Sequence, residues 1–208
     1  MRIKPAGLVL CILFAGTSAV EQVELTAIQD AYICDCSPDE TNPNGGPNFL
    51  YQGQYGSCFD RSLIQWDLSG LDEDLTILSA ELFLYCEAFY GSVSGEMRYY
   101  RVTEPWDEET VTYNTQPDYS EDVQSAVDCP DPLDWHVVDV TDFVESWYSG
   151  DIDNYGVYCH CHGTTGTCVA GFYSKDYSEE ELWPKLVVTY SSAVVEDATW
   201  GEVKTTFD

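Results

Sequence analysis

The 208-residue sequence predicts an all-β protein, a sandwich or barrel with one short helix. Short runs of alternating apolar and polar residues recur along it. Aromatic and β-branched residues are frequent, and Gly, Pro, Asn and Asp cluster between the runs. Many short strands joined by polar turns are built as sandwiches or barrels, because each strand must bury one face.

Over residues 60–68, alternation puts Ile64, Trp66 and Leu68 on one face and Gln65 and Asp67 on the other. Over residues 78–86, Leu78, Ala80, Leu82, Leu84 and Cys86 share a side. Further strands are expected at 97–103, 111–113, 135–138, 156–160, 169–174 and 185–190. One segment breaks the period. Across residues 139–149, Val140, Phe143, Val144 and Trp147 fall at helical spacing, Asp139 or Thr141 can cap the start, and Gly150 can end it.

The ends read differently from the middle. Arg2 and Lys4 precede an apolar run over residues 7–16, and Thr17 and Ala19 supply the small −3/−1 pair of a signal peptidase site. Residues 1–19 are therefore expected to be a secretory signal cut after Ala19. That run is too short for an anchor, which takes about twenty apolar residues. Residues 20–190 form the expected domain, secreted or at the cell surface with no membrane insertion. The tail at 191–208 holds Trp200, Val203 and Phe207 on one side of a helical turn. It is a candidate segment for sorting, self-association or docking to a partner protein.

The formal net charge of −29 repels phosphates and anionic lipid, which excludes nucleic acid as a partner. Of the cysteines, Cys11 belongs to the leader. Cys34, Cys36, Cys58, Cys86, Cys129, Cys159, Cys161 and Cys168 remain. An even number in an exported chain points to disulfides, with the connectivity left open. In an unbroken strand Cys159 and Cys161 face away from His160 and His162, so these four cannot converge on one zinc ion.

A family pattern runs through these elements. It begins at Asp30-Ala31-Tyr32 and continues through Arg61-Ser62-Leu63-Ile64 and Trp66-Asp67-Leu68-Ser69-Gly70-Leu71. Tyr100-Arg101-Val102-Thr103 then leads to Trp106, Glu108, Thr110-Val111-Thr112-Tyr113-Asn114 and Gln116-Pro117. Pro184-Lys185-Leu186-Val187-Val188-Thr189-Tyr190 closes it. Over residues 29–190 the chain resembles the DNRLRE domain, carbohydrate-binding module family 96. The resemblance implies a jelly-roll-like β-sandwich that binds an extracellular polysaccharide and leaves catalysis to neighbouring domains. The alternative is a structural or adhesive building block of a surface or matrix.

Sugar rings are bound on aromatic faces with polar groups at their edges. Tyr51, Tyr55, Tyr90, Tyr99, Trp106 and Tyr113 are the candidate platforms. Arg61 is a candidate for a sugar carboxylate, or pairs internally with Asp67 or Asp139, the reading favoured here. No cofactor is required. Oxygen-rich positions at Asp30, Asp39, Asn44 and Asp139 suit a structural Ca²⁺. No histidine stands in a nucleophile context, and no enzyme activity is expected.

Overall fold

Alternating sequence becomes antiparallel ladder wherever the chain can pair. The structure, a computed structural model, describes residues 19–43, 46–91, 95–123, 125–130, 132–162 and 168–192. Residues 1–18 of the expected signal at 1–19, Asn44, and residues 193–208 of the expected tail at 191–208 lie outside the described residues. The strands are β1 (Ala19–Cys34), β2 (Phe49–Tyr55), β3 (Cys58–Trp66), β4 (Leu75–Gly91), β5 (Glu96–Arg101), β6 (Ser125–Asp128), β7 (Asp134–Asp139), β8 (Val157–His162), β9 (Cys168–Tyr173) and β10 (Lys185–Ser192). One α-helix, α1 (Thr141–Tyr148), follows β7.

The strands pair in the order β1-β10-β4-β9-β2-β3-β8-β5-β6, with β7 added to β4 and β1 also joined to β3. That last pairing closes β1, β10, β4, β9, β2 and β3 into a circuit. Two long strands make it possible. The first half of β1 pairs with β10 and its second half with β3. β4 pairs in turn with β10, β7 and β9. The all-β sandwich expected from the sequence is what forms.

A large core between the layers holds Trp66, Ile64, Leu82, Leu84, Phe172 and Leu186, all buried. α1 lays Phe143, Val144 and Trp147 onto it. Val140 takes the N-cap position, in place of the expected Asp139 or Thr141, with no side-chain cap bond; the Asp139 carboxylate before it accepts from Thr141 N (2.9 Å) and Thr141 Oγ1 (2.7 Å). A smaller core of Ala31, Ile33, Leu63, Tyr100, Val102 and Tyr158 lies on the other face of β1 and β3.

Two strand expectations change. Leu78 does not join its expected face: it is 47 % exposed, while Ile77 is buried. Thr189 pairs with Ser79 and Tyr190 with Ile77, so Leu78 is skipped as a bulge and the alternation flips there. Residues 111–113 form no strand. Tyr113–Thr115 is a 3-10 turn, and the Thr112 and Thr115 side chains bond across it. β1, β2 and β6 are strands that periodicity did not single out.

Candidate functional site

β2 carries Tyr51 and Tyr55 on one side, with Gly53 between them. Gly53 has φ +140°, and a Cβ there would lie 1.9 Å from the Cys168 carbonyl oxygen. A residue without a side chain lets β9 approach and hold its register. In that register Tyr51 faces Gly171 and Gly53 faces Val169. Across β9, Ala88 of β4 faces Gly171 and Tyr90 faces Val169. Small residues thus floor a space walled by tyrosines. The Tyr51 ring lies against Gly171, where a Cβ would come within 3.0 Å of Cε1.

The result is an open cleft of about 550 Å³ lined by Tyr51, Tyr55, Tyr90, Asp60, Cys34 and the disulfide joining Cys36 to Cys58. Tyr55 is 66 % and Tyr90 49 % exposed. Tyr51 is steadied by buried Tyr32, edge-on at 5.2 Å. Asp60 pairs with Gly53 on one side and Cys34 on the other. Burial pushes its carboxyl above the usual carboxylate range, against the bond to the Cys34 thiol that holds it down. Burial likewise raises the Cys34 thiol. The Tyr51 hydroxyl is raised by burial first, then by Tyr90, Glu87 and Asp60. No lysine or arginine is among the described lining residues.

Aromatic rings continue beyond the cleft. From Tyr51 the row passes to Phe49 (6.1 Å), Tyr173 (5.8 Å), Tyr85 (5.8 Å, stacked) and Trp135 (5.4 Å). The Lys185 ammonium sits 4.7 Å from the Trp135 ring centre. Phe49 lies two residues before Tyr51 on the same face of β2. Tyr85, Trp135 and Tyr173 come from three other strands, and only the register brings them together.

Of the six aromatic candidates, then, the structure gathers three. Tyr99 is a correction: it is 0 % exposed and belongs to the large core, where no sugar can reach it. Trp106 donates its indole N–H to the Tyr155 carbonyl (2.9 Å) and packs beside the smaller core, anchoring its own loop. Tyr113 receives the Arg61 guanidinium at 4.9 Å from its ring centre. Arg61 follows Asp60 in β3, so its side chain leaves by the opposite face from the cleft. Among the described residues it makes no ion pair, which corrects the favoured pairing. Asp67 bonds Ser69 instead, and Asp139 bonds Thr141.

The described calcium candidates, Asp30, Asp39 and Asp139, each have different neighbours. Asp30 borders a separate cleft with Thr41, Asn42, Glu108 and Asp176. There the chain supplies its own cation, since Lys175 Nζ lies 3.0 Å from Glu108 and 3.3 Å from Asp176. Lys175 N donates to Asp30 at 2.8 Å. Burial nonetheless pushes the Asp30 carboxyl up to about 7. Asp39 accepts from the Asn114 side chain (2.8 Å), and Asp139 borders a third cleft. Among the cysteines, Cys36 and Cys58 are bonded, while Cys34, Cys86, Cys129, Cys159, Cys161 and Cys168 carry no S–S bond in the structure. Cys159 and Cys161 do face the large core, and His160 stacks at 5.6 Å on Tyr100 beside the smaller one, as strand alternation requires.

Chemically the cleft offers ring faces, hydroxyls and one carboxyl group. Glycoside hydrolysis takes two carboxyls across the scissile bond, and Asp60 is the one carboxyl among the described lining residues. His136, the buried histidine of β7, is held down to about 4 by burial and borders the core, not the cleft. No helix among the described residues is long and apolar enough to cross a membrane.

The family model of carbohydrate-binding module family 96 matches residues 21–190, from the start of β1 to near the end of β10. A search of curated proteins returns no match. Modules of this class bind carbohydrate without transforming it, in keeping with a cleft of stacking faces and a lone carboxyl. The chain belongs to carbohydrate-binding module family 96.

Proposed function

We propose that the chain is an exported, non-catalytic module that binds a neutral extracellular polysaccharide in the Tyr51–Tyr55–Tyr90 cleft. One observation carries the reading: three tyrosines from β2 and β4 converge on an open cleft whose described lining holds no lysine or arginine. Aromatic faces stack on the apolar faces of sugar rings, and the tyrosine hydroxyls and Asp60 can bond their hydroxyl groups. A polyanionic glycan would meet an acidic chain with net charge −29 and no lysine or arginine among the described lining residues to receive it. The half-buried row through Phe49, Tyr173, Tyr85 and Trp135 supports a polymer over a single sugar, because it extends the same surface past the cleft.

Affinity electrophoresis tests this. The chain should be retarded in gels containing a neutral glucan, mannan or galactan and run unretarded with alginate or pectate at low salt. Tyr55→Ala and Tyr90→Ala should each reduce the retardation. Retardation by the acidic polymers alone would overturn the neutral assignment. No retardation by any polymer would favour the building-block role.

A further inference from the structure

At the far end of β9 from Tyr173, three sulfur atoms meet. Cys161 Sγ and Cys168 Sγ are 3.0 Å apart, and Cys129 Sγ lies 3.6 Å from Cys168 Sγ. All three fall within 4.8 Å of one another, two buried and Cys129 half-buried. They come from three separate ladders. Cys161 is held by β8 pairing with β5. Cys168 is held by β9 pairing with both β2 and β4. Cys129 directly follows β6, and its N–H donates to the Gly95 carbonyl (3.3 Å). The backbone would hold this arrangement whatever the sulfurs do.

We propose that Cys129, Cys161 and Cys168 form a binding site for one soft, thiophilic d10 cation of the Zn²⁺ or Cu⁺ kind. Sulfurs ligating a common ion at Zn–S of about 2.3 Å are spaced about 3.8 Å apart in tetrahedral geometry. The observed separations need only small side-chain rotations to reach that spacing. A disulfide uses two sulfurs and leaves the third pressed against it, whereas one cation uses all three. Met97 of β5 pairs directly with Cys161, so its soft thioether shares that face. Half-buried Cys129 opens the site to solvent for entry and for a further ligand.

The thiols are poor anions by themselves. Cys129 is pushed up to about 12, by burial and then by the Cys168 thiol, and Cys161 to about 11, by burial foremost. A bound cation reverses this by pairing each thiolate it creates. Coordination forms three metal–sulfur bonds, releases three thiol protons to solvent and moves no electrons, so acid should discharge the site.

The test uses the full chain, purified without oxidant, with Cd²⁺ and Zn²⁺ as probes. Cd²⁺ should produce a sulfur-to-metal charge-transfer band that saturates at one equivalent and is displaced by Zn²⁺. Cys129→Ser, the least buried change, should weaken binding at least about tenfold and reduce the band. Cys34→Ser, which removes a thiol outside the three-sulfur group, should leave the metal stoichiometry unaltered. Zn²⁺ should also raise the unfolding temperature of the wild-type chain, a readout that survives if Cys129→Ser fails to fold. The proposal is overturned by absence of the band, by an undiminished band in folded Cys129→Ser, or by peptide mapping that finds two of the three joined as a disulfide in the unreduced chain.

Discussion

Tyr90 and Tyr99 look alike in the sequence, and replacing each with alanine should separate binding from folding. Tyr90 is 49 % exposed on the cleft wall, and its pairing with Val169 is made by backbone alone. A tyrosine offers roughly 200 Å² of side-chain surface, so about half of it is buried here. At about 25 cal/mol per Å², Tyr90→Ala costs no more than about 2.5 kcal/mol of stability. Losing a stacking face should weaken glycan binding by about 1–2 kcal/mol, or about 5–30-fold. Tyr99 is 0 % exposed, so Tyr99→Ala leaves a cavity and should cost about 3–5 kcal/mol. Whatever fraction stays folded should bind normally. Urea unfolding gives the stabilities, and calorimetric titration with the retarding polysaccharide gives the affinities. The cleft assignment fails if Tyr90→Ala binds like wild type, or if folded Tyr99→Ala loses affinity.

Three further outcomes follow from the same geometry. Gly171→Ala puts a methyl group 3.0 Å from Tyr51 Cε1, so the ring must shift and affinity should fall with the fold intact; Gly53→Ala, 1.9 Å from the Cys168 carbonyl oxygen, should unfold the chain, as circular dichroism would show. Two buried groups make opposite contributions to stability between about pH 4 and 7. His136 resists protonation in the fold, so its contribution of about 3 kcal/mol is lost as pH falls from about 6.5 to 4; Asp30 keeps its proton, so about 4 kcal/mol is lost as pH rises from about 4 to 7. His136→Phe should therefore leave stability falling with rising pH, and Asp30→Asn should leave it rising, both read by urea unfolding at several pH values. Replacing both Cys36 and Cys58 with alanine opens a loop of sequence separation 22, which should cost about 3 kcal/mol and loosen the cleft rim, measured by thermal unfolding and glycan titration.

Much of the architecture was legible because burial on one strand face leaves a period of two in the sequence. The alternation around Ile64 and Trp66, the helical spacing of Phe143, Val144 and Trp147, and the turn residues between runs all stand in the fold. Leu78 was misplaced because a bulge adds a residue to one strand without altering its composition. Tyr99 was misread because a tyrosine has the same letters in a core as on a surface. Arg61 and Asp60 are adjacent, yet one faces Tyr113 and the other the cleft.

By itself, then, the sequence determined the all-β class, the helix, the acidity that disfavours anionic partners and the resemblance that named a family. Those properties are local or additive, and each residue contributes to them wherever it lies. Only the tertiary structure decided that Tyr51, Tyr55 and Tyr90 share a cleft while Tyr99 does not. It alone bonded Cys36 to Cys58 and drew Cys129, Cys161 and Cys168 within reach of one another. Those groupings depend on strand register between segments far apart in the chain, which no local pattern encodes.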